Sequence, residues 1–322
     1  MKEIIIDKNE SEQRLDRFLK KYLANASQGF IYKMLRKKNI KVNGKKANPE
    51  DNIVEGDVVQ LYLSDETIEK FLAVKGPVKS KLIPNIVYED ENILLINKNM
   101  GILSHGAGGD FEENIVDSMI SYLIEKRDYI PRIEKTFTPS ICNRLDRNTS
   151  GIIIGAKNYQ SLKTMNEALR KLNVRRFYKT IVKGSIDKDF KSEGYLSKDE
   201  DRNIVEVTKD YVEDSKKIVT YIKVLKRTKE YSLLEIELIT GRTHQIRGHL
   251  SSLGYPIIGD RKYGDKIVNK KFLKEYNLDN QWLHGYKIEF NGLEEPLSYL
   301  NGKSFESSME DKYAKIEREL FK

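Results

Sequence analysis

Apolar residues fall at helical spacing in some stretches of this chain. In most of the others they alternate with polar residues or run together. Leu15, Phe18, Leu19, Tyr22 and Leu23 lie three or four apart, which predicts an amphipathic helix over about 12–24. Ser27 is a suitable cap for a second helix over 28–38, with Phe30, Ile31, Met34 and Leu35 inward. Ile40–Lys46 alternates around Asn43-Gly44, a pair that favours a tight hairpin, and Glu55-Gly56-Asp57 turns into a closing strand at Val58–Leu63. Residues 1–6 read as a further short strand.

The pattern lapses over 64–82, a polar stretch with Gly76-Pro77. It predicts a linker, with one helical turn at 66–73. Strand signals resume at Ile86–Asn92, Ile93–Lys98 and Met100–His105, followed by a Gly-rich loop at His105–Asp110 that lacks the spacing of a phosphate cradle. A helix is predicted over 113–126, with Ile115, Met119, Ile120, Leu123 and Ile124 on one side, and another over 159–172, with Leu162, Met165, Leu169 and Leu172. Strands are predicted at Ile152–Ile154, Arg175–Gly184, Ile218–Leu225, Tyr231–Ile239 and Leu283–Phe290, and a charged helix near 306–321. Most of 185–230 shows no usable period. The result is an α+β chain in two units, 1–63 and 83–322, joined by 64–82.

Charge adds a surface to this outline. Lys plus Arg outnumber Asp plus Glu by 57 to 49 in 322 residues, a moderate excess that suits a polyanion partner. It is concentrated locally. Gln28–Ala47 holds seven Lys or Arg and no acidic residue, so Lys33, Arg36, Lys37, Lys41 and Lys45 form a ridge that could follow a phosphate backbone, with Arg14 nearby. No run of about 18 apolar residues is present, and the charged start Met1–Asp7 is unlike a secretory signal, so a cytoplasmic location and no membrane partner are expected. A single cysteine, Cys142, excludes an intrachain disulfide and fits a reducing compartment.

Candidate chemistry centres on Asn143–Gly151, Asn-Arg-Leu-Asp-Arg-Asn-Thr-Ser-Gly, a polar turn feeding a buried strand. Asp146 stands there with Arg144 and Arg147 on either side, and nearby cations keep an aspartate charged. Other chemistries find little support. His244 and His249 are five apart, about 140° around a helix, so they do not share a face as metal ligands. There is no Cys-x-x-Cys and no Gly-x-Ser-x-Gly nucleophile elbow, and Cys142 before a buried strand reads as an apolar filler. No metal site is expected. What remains is Asp146, Tyr178 on a nearby strand, and a polar cluster of Arg242, Thr243, His244, Gln245 and Arg247 at a strand-to-helix turn.

These runs together resemble a known family. "NRLDRNTSG" at 143–151, "RFYKTIVKG" at 176–184 and "TGRTHQIRGHLSSLGYPIIGDRKYG" at 240–264 look like the three motifs of the RluA-type pseudouridine synthases, and "VNGK" with the later Gly-Asp resembles an S4 RNA-binding module. Asn143, where many members have His, and Gly248, where a larger residue is common, depart from the pattern. The resemblance implies an S4-like domain followed by a catalytic domain with a mixed, mainly antiparallel sheet flanked by helices. It implies isomerisation of uridine to pseudouridine without cofactor or metal. Asp146 is then the essential carboxylate, Tyr178 the active-site aromatic and Arg247 the partner of the Asp, while Arg144 helps hold the flipped nucleotide. RNA, with large-subunit ribosomal RNA favoured over transfer RNA, is the implied partner of a monomer. A non-catalytic RNA-binding or ribosome-assembly factor on the same fold stays open at this stage.

Overall fold

The apolar stripe at the N-terminus closes a small core of its own. In the computed structural model, which describes residues 1–72, 80–106, 112–130, 136–199 and 203–322, the first unit comprises β1 (Lys2–Ile5), β2 (Gln13–Arg14), α1 (Leu15–Tyr22), α2 (Gln28–Arg36), β3 (Ile40–Val42), β4 (Lys45–Lys46), β5 (Asn52–Ile53), β6 (Val58–Leu61) and α3 (Asp65–Phe71). Leu15, Phe18, Leu19, Ile31, Leu35, Ile40 and Leu61 are buried together. The Ser27 hydroxyl accepts from the Phe30 N–H, the expected cap. Asn43 and Gly44 both take positive φ, 50° and 75°, as a tight hairpin turn requires. The helix α3, expected to open the linker, instead packs Ile68, Phe71 and Leu72 into this core. Residues 73–79 of the expected linker lie outside the described residues.

The second unit is built on one large sheet. Its elements are β7 (Ile86–Glu89), β8 (Ile93–Lys98), α4 (Ile115–Lys126), β9 (Ser140–Ile141), β10 (Ser150–Ala156), α5 (Tyr159–Arg170), β11 (Val174–Lys183), β12 (Phe190–Asp199), β13 (Ile204–Thr208), β14 (Lys216–Arg227), β15 (Tyr231–Leu238), α6 (Gln245–Ser252), α7 (Lys266–Tyr276), β16 (Leu283–Phe290), β17 (Ser304–Glu306) and α8 (Asp311–Leu320). The main strand order is β13-β12-β14-β15-β11-β16-β10-β8-β7, and every pairing is antiparallel except β10 with β16. The expected mixed, mainly antiparallel sheet is therefore present. Three readings change. Met100–His105 is turn and loop rather than strand, because Gly101 takes φ 84° just after β8 ends. The α5 helix stops at Arg170, and Leu172 follows at φ 64°, half exposed rather than on the inner face. The charged region 185–230 holds three strands: β14 contains the expected Ile218–Leu225, while β12 and β13 carry outward charges that hid their period.

The parallel seam is where the sheet meets the site. At Gly151, φ is +125°, and a Cβ there would stand 2.3 Å from the Gly285 carbonyl oxygen. Only glycine allows β10 and β16 to run this close. One strand over, the pairing shifts from Phe177↔Lys287 to Lys179↔His284, so β16 carries an extra residue opposite Tyr178.

The two units touch through the loop between β1 and β2. Asn9 Oδ1 accepts from Tyr159 N–H at 3.2 Å, Glu10 Oε1 accepts from Thr136 N–H at 3.1 Å, and Glu12 pairs with Lys163 at 2.9 Å.

Candidate active site

Asp146 lies in the turn that leads into β10, and the backbone of that turn is tied down on both sides. The Thr149 N–H donates to the Asp146 carbonyl at 3.0 Å. Asn143 reaches back to β10, accepting from Ile154 N–H at 2.7 Å and donating to the Ile152 carbonyl at 3.3 Å. The buried Ser104 hydroxyl donates to the Leu145 carbonyl at 2.7 Å and accepts from the Leu145 N–H at 3.1 Å. Lys98, fully buried at the end of β8, donates to the carbonyls of Arg147 at 2.8 Å, Ile102 at 2.9 Å and Asn99 at 3.1 Å. Burial pushes its pKa down to about 7, against the pull of the Asp146 charge. Three carbonyls matched to three N–H donors favour the ammonium form.

The arginines adjacent in sequence do not neutralise Asp146. Arg147 turns to the Gly101 carbonyl at 3.1 Å and to Glu112, while Arg144 is exposed. Consecutive side chains in a tight turn diverge, so sequence adjacency does not bring their charges together. The cation at the carboxylate is Arg247, on the first turn of α6, whose Nη1 donates to Asp146 Oδ2 at 3.0 Å.

Arg247 is itself held from behind. Its Nε and Nη2 donate to the two oxygens of Asp260 at 2.7 and 2.9 Å. Asp260 is fully buried and also accepts from the Lys262 and Tyr263 amides at 2.9 and 3.1 Å. Burial alone would raise the Asp260 pKa, but the hydrogen bonds and charge of Arg247 and those amides hold it below the usual carboxylate value. Burial likewise opposes the charge on Arg247, and the two carboxylates more than reverse that.

The turn before α6 is shaped by Gln245. Its side-chain oxygen accepts from the Thr240 hydroxyl at 2.9 Å and the Arg242 N–H at 3.1 Å, and its amide donates to the Val219 carbonyl at 3.2 Å. This leaves His244 in the left-handed region at φ 52°, with Nε2 3.8 Å from Asp146 Oδ2 and Nδ1 2.9 Å from the Tyr263 hydroxyl. The Val205 N–H already donates to that hydroxyl oxygen at 2.8 Å. The phenol proton is then free for His244 Nδ1, and the Nε2–H side faces Asp146. Burial lowers the His244 pKa, which favours this neutral form. Gly248 leaves room here, since a Cβ would stand 2.6 Å from a Val205 methyl on β13.

Tyr178 comes from β11 and is almost fully buried, its ring lying across Gly285, where a Cβ would stand 3.1 Å from the ring edge. Burial raises its pKa, Arg176 opposes that and Asp146 adds to it. Tyr178, Asp146 and Arg247 share one small cavity with Arg144, Arg176 and Arg242. It adjoins a cleft of about 1220 Å³ lined by Asp146, Arg144, Arg176, Arg242, Thr243 and His244. The three residues expected to do the chemistry therefore meet, and Arg144, Arg242, Thr243 and His244 line their cleft. Cys142 packs as an apolar filler, its thiol pushed up to about 12 by burial.

The expected RNA residues of the first unit are elsewhere. Lys33 and Arg36, with Lys46, line a concavity of about 340 Å³ between α2 and the segment after β4. Lys37 and Lys45 are exposed, and Lys41 lies over the Tyr62 ring at 5.0 Å. Arg14 is drawn to Asp16 at 2.8 Å and Glu50 at 3.6 Å, so its charge is largely used within the fold.

Sequence reading passed over four residues: Lys98, Ser104, Arg176 and Asp260. Only Asp260 carried a signal, as the lone acid closing an apolar Pro-Ile-Ile-Gly run.

The chain is similar to known proteins in both of its units. The RNA pseudouridylate synthase family matches residues 92–252 and the S4 domain matches residues 13–59. An uncharacterized RNA pseudouridine synthase of Mycoplasma capricolum is 31% identical, over 94% of this chain and 96% of its own length. The ribosomal large subunit pseudouridine synthase C of Vibrio cholerae is 31% identical, over 89% of this chain and 88% of its own. Among solved structures, human RNA pseudouridylate synthase domain containing 4 shares the fold, with TM-score 0.58 and 22% identity over 73% of this chain and 92% of that one. The chain belongs to the RNA pseudouridylate synthase family, with an S4 domain at its N-terminal side, and is an RNA pseudouridine synthase, an isomerase.

Proposed function

We propose that this chain isomerises uridine in large-subunit ribosomal RNA, with Asp146 as its essential carboxylate, Tyr178 as the aromatic beneath the target base and Arg247 as the group that keeps Asp146 ionised. The observation that carries the reading is the Asp146–Arg247 contact at 3.0 Å in a cavity shared with Tyr178. A carboxylate there can attack C1′ to give a covalent intermediate or take a proton from C2′ to give a glycal, and both routes need it charged. The detached uracil must turn without escaping, which the buried ring of Tyr178 serves.

The target nucleotide has to leave its stack, at about a few kcal/mol, and looped RNA lowers that. Arg144 and Arg242, exposed on the cleft wall, suit its flanking phosphates. Lys33, Arg36, Lys37, Lys41 and Lys45 add phosphate contacts from the S4 unit, which we take to end near residue 72, with the catalytic unit starting near 83. The likeness to the Vibrio cholerae enzyme supports the ribosomal target. We infer a cytoplasmic monomer needing no cofactor. Mapping pseudouridine in total RNA from cells with and without this protein tests the substrate: sites lost from large-subunit RNA support it, and sites lost only from transfer RNA overturn it.

A further inference from the structure

Within the cavity at Asp146, one half-buried cation is not used by the fold. Arg247 is engaged with Asp260 and Asp146. Arg147 is engaged with Gly101 and Glu112, and Arg261 is engaged with Asp279. Arg176 makes no ion pair or hydrogen bond among the described residues, and its Nε is buried without a partner. A buried, unpaired N–H of a guanidinium is unfavourable by about 1–3 kcal/mol or more, so such a group is uncommon unless something else takes its bonds.

Its placement says what that something is. Arg176 and Tyr178 are two apart on β11, so they share a face of the strand and lie about 6.6 Å apart along it, roughly the width of a base. Its terminal nitrogens lie close over Gly241, where a Cβ would stand 3.0 and 3.1 Å from them. It lines both the small cavity and the larger cleft. Exposed Arg144 and Arg242 are suited to phosphates that remain in water, whereas a half-buried arginine level with the aromatic ring is suited to the base.

Resting on the assignment of this cleft to uridine isomerisation, we propose that Arg176 binds the flipped uracil itself, donating to its carbonyl oxygens and carrying the negative charge of the ring when the glycosidic bond opens. In that step the C1′–N1 bond breaks and its electron pair passes to the ring, spread over N1, O2 and O4. The ring turns, C5 forms the new bond to C1′, the C5 hydrogen leaves as a proton and N1 takes up a proton, so the formula is unchanged. A planar cation with paired donors is matched to an N–C–O edge, and it acts where charge develops.

The test uses the full chain and a synthetic fragment of large-subunit RNA carrying one mapped target as uridine, 2-thiouridine or 4-thiouridine. R176M and R176Q should fold with little change in melting temperature, because the fold makes no hydrogen bond or ion pair to this guanidinium. Their single-turnover rates at saturating RNA should fall about 100-fold, as for removal of one charge-stabilising donor, with RNA affinity within three-fold. R176K should recover part of the rate. At least one thio substitution should slow the wild type five-fold or more and slow R176M far less, since both changes remove the same hydrogen bond. Equal thio penalties in wild type and variant, a saturated rate within three-fold of wild type, or a defect confined to affinity and its salt dependence would each overturn the assignment. A wild-type protein inactive on every large-subunit fragment would overturn the ribosomal reading instead.

Discussion

Asp260 holds Arg247 by two hydrogen bonds, 2.7 and 2.9 Å, and leaves that guanidinium one free corner for Asp146. The fully buried acid therefore orients the cation of the site without facing the cleft. Removing it strands a buried positive charge. Asp260→Ala should lower stability by about 3 kcal/mol or more and abolish turnover, read by urea unfolding and by tritium release from C5-labelled RNA. An unchanged unfolding midpoint would show that Arg247 does not depend on Asp260.

At the reacting carboxylate the expectation is different. Asp146→Asn keeps the shape of the turn and leaves Arg247 on Asp260. Pseudouridine formation should vanish while RNA affinity stays within a few-fold and stability changes little. Residual turnover within ten-fold of wild type would remove Asp146 from the mechanism.

Lys98 acts on the backbone rather than on substrate. Lys98→Met removes three hydrogen bonds to main-chain carbonyls, of which that of Arg147 still accepts from the Gly101 N–H, at about 1 kcal/mol each. Stability should drop by about 3 kcal/mol, and the Asp146 turn should exchange its amide hydrogens faster. A protein as stable as wild type, with unchanged exchange at residues 145–149, would contradict this.

Two buried histidines set an acid limit. His249 lies between the Ser192 and Thr220 hydroxyls at 2.9 Å each, His284 donates or accepts with Ser150 at 2.8 Å, and burial pushes both pKa values from 6.5 down to about 4. Unfolded, they take up protons near 6.5, while folded they resist until about pH 4. Their neutral burial is therefore without penalty above pH 6.5, and stability is lost as pH falls from 6.5 towards 4, by up to about 3 kcal/mol for each. Melting temperatures at pH 7.5, 6 and 5 should fall in order, and His249→Gln should flatten the slope. A flat profile in the wild type would refute it.

For the basic concavity at α2, salt is the measurement. Lys33→Ala with Arg36→Ala should lower RNA affinity at low salt and reduce the slope of log K against log salt by about 0.7–0.9 for each phosphate that the variant no longer neutralises. Single-turnover rates at saturation should not move. An unchanged slope would place RNA elsewhere on the S4 unit.

The sequence by itself determined the local elements and the chemistry to look for. Helices α1, α2, α4 and α5 and strands β8, β10, β11, β15 and β16 each bury one face or run continuously apolar, so their period was visible. The strands β12 and β13 were not, because polar residues on their outer face and at the turns dilute a short alternation. Asp146, Tyr178 and the Arg242–Arg247 cluster were legible as residue types in three separate runs. Which of the arginines meets the aspartate was not. Neighbours in a turn point apart, whereas strand order carried α6 across 101 residues to the turn before β10. Lys98 and Asp260 looked like ordinary charged residues, and Arg176 looked like one more surface cation on an alternating strand. Only packing shows that Lys98 is buried with its three N–H donors matched, that Asp260 is buried accepting from Arg247 and two amides, and that Arg176 is held in the cavity with its Nε unmatched, since burial and hydrogen bonding are properties of the folded arrangement and not of any stretch of the chain.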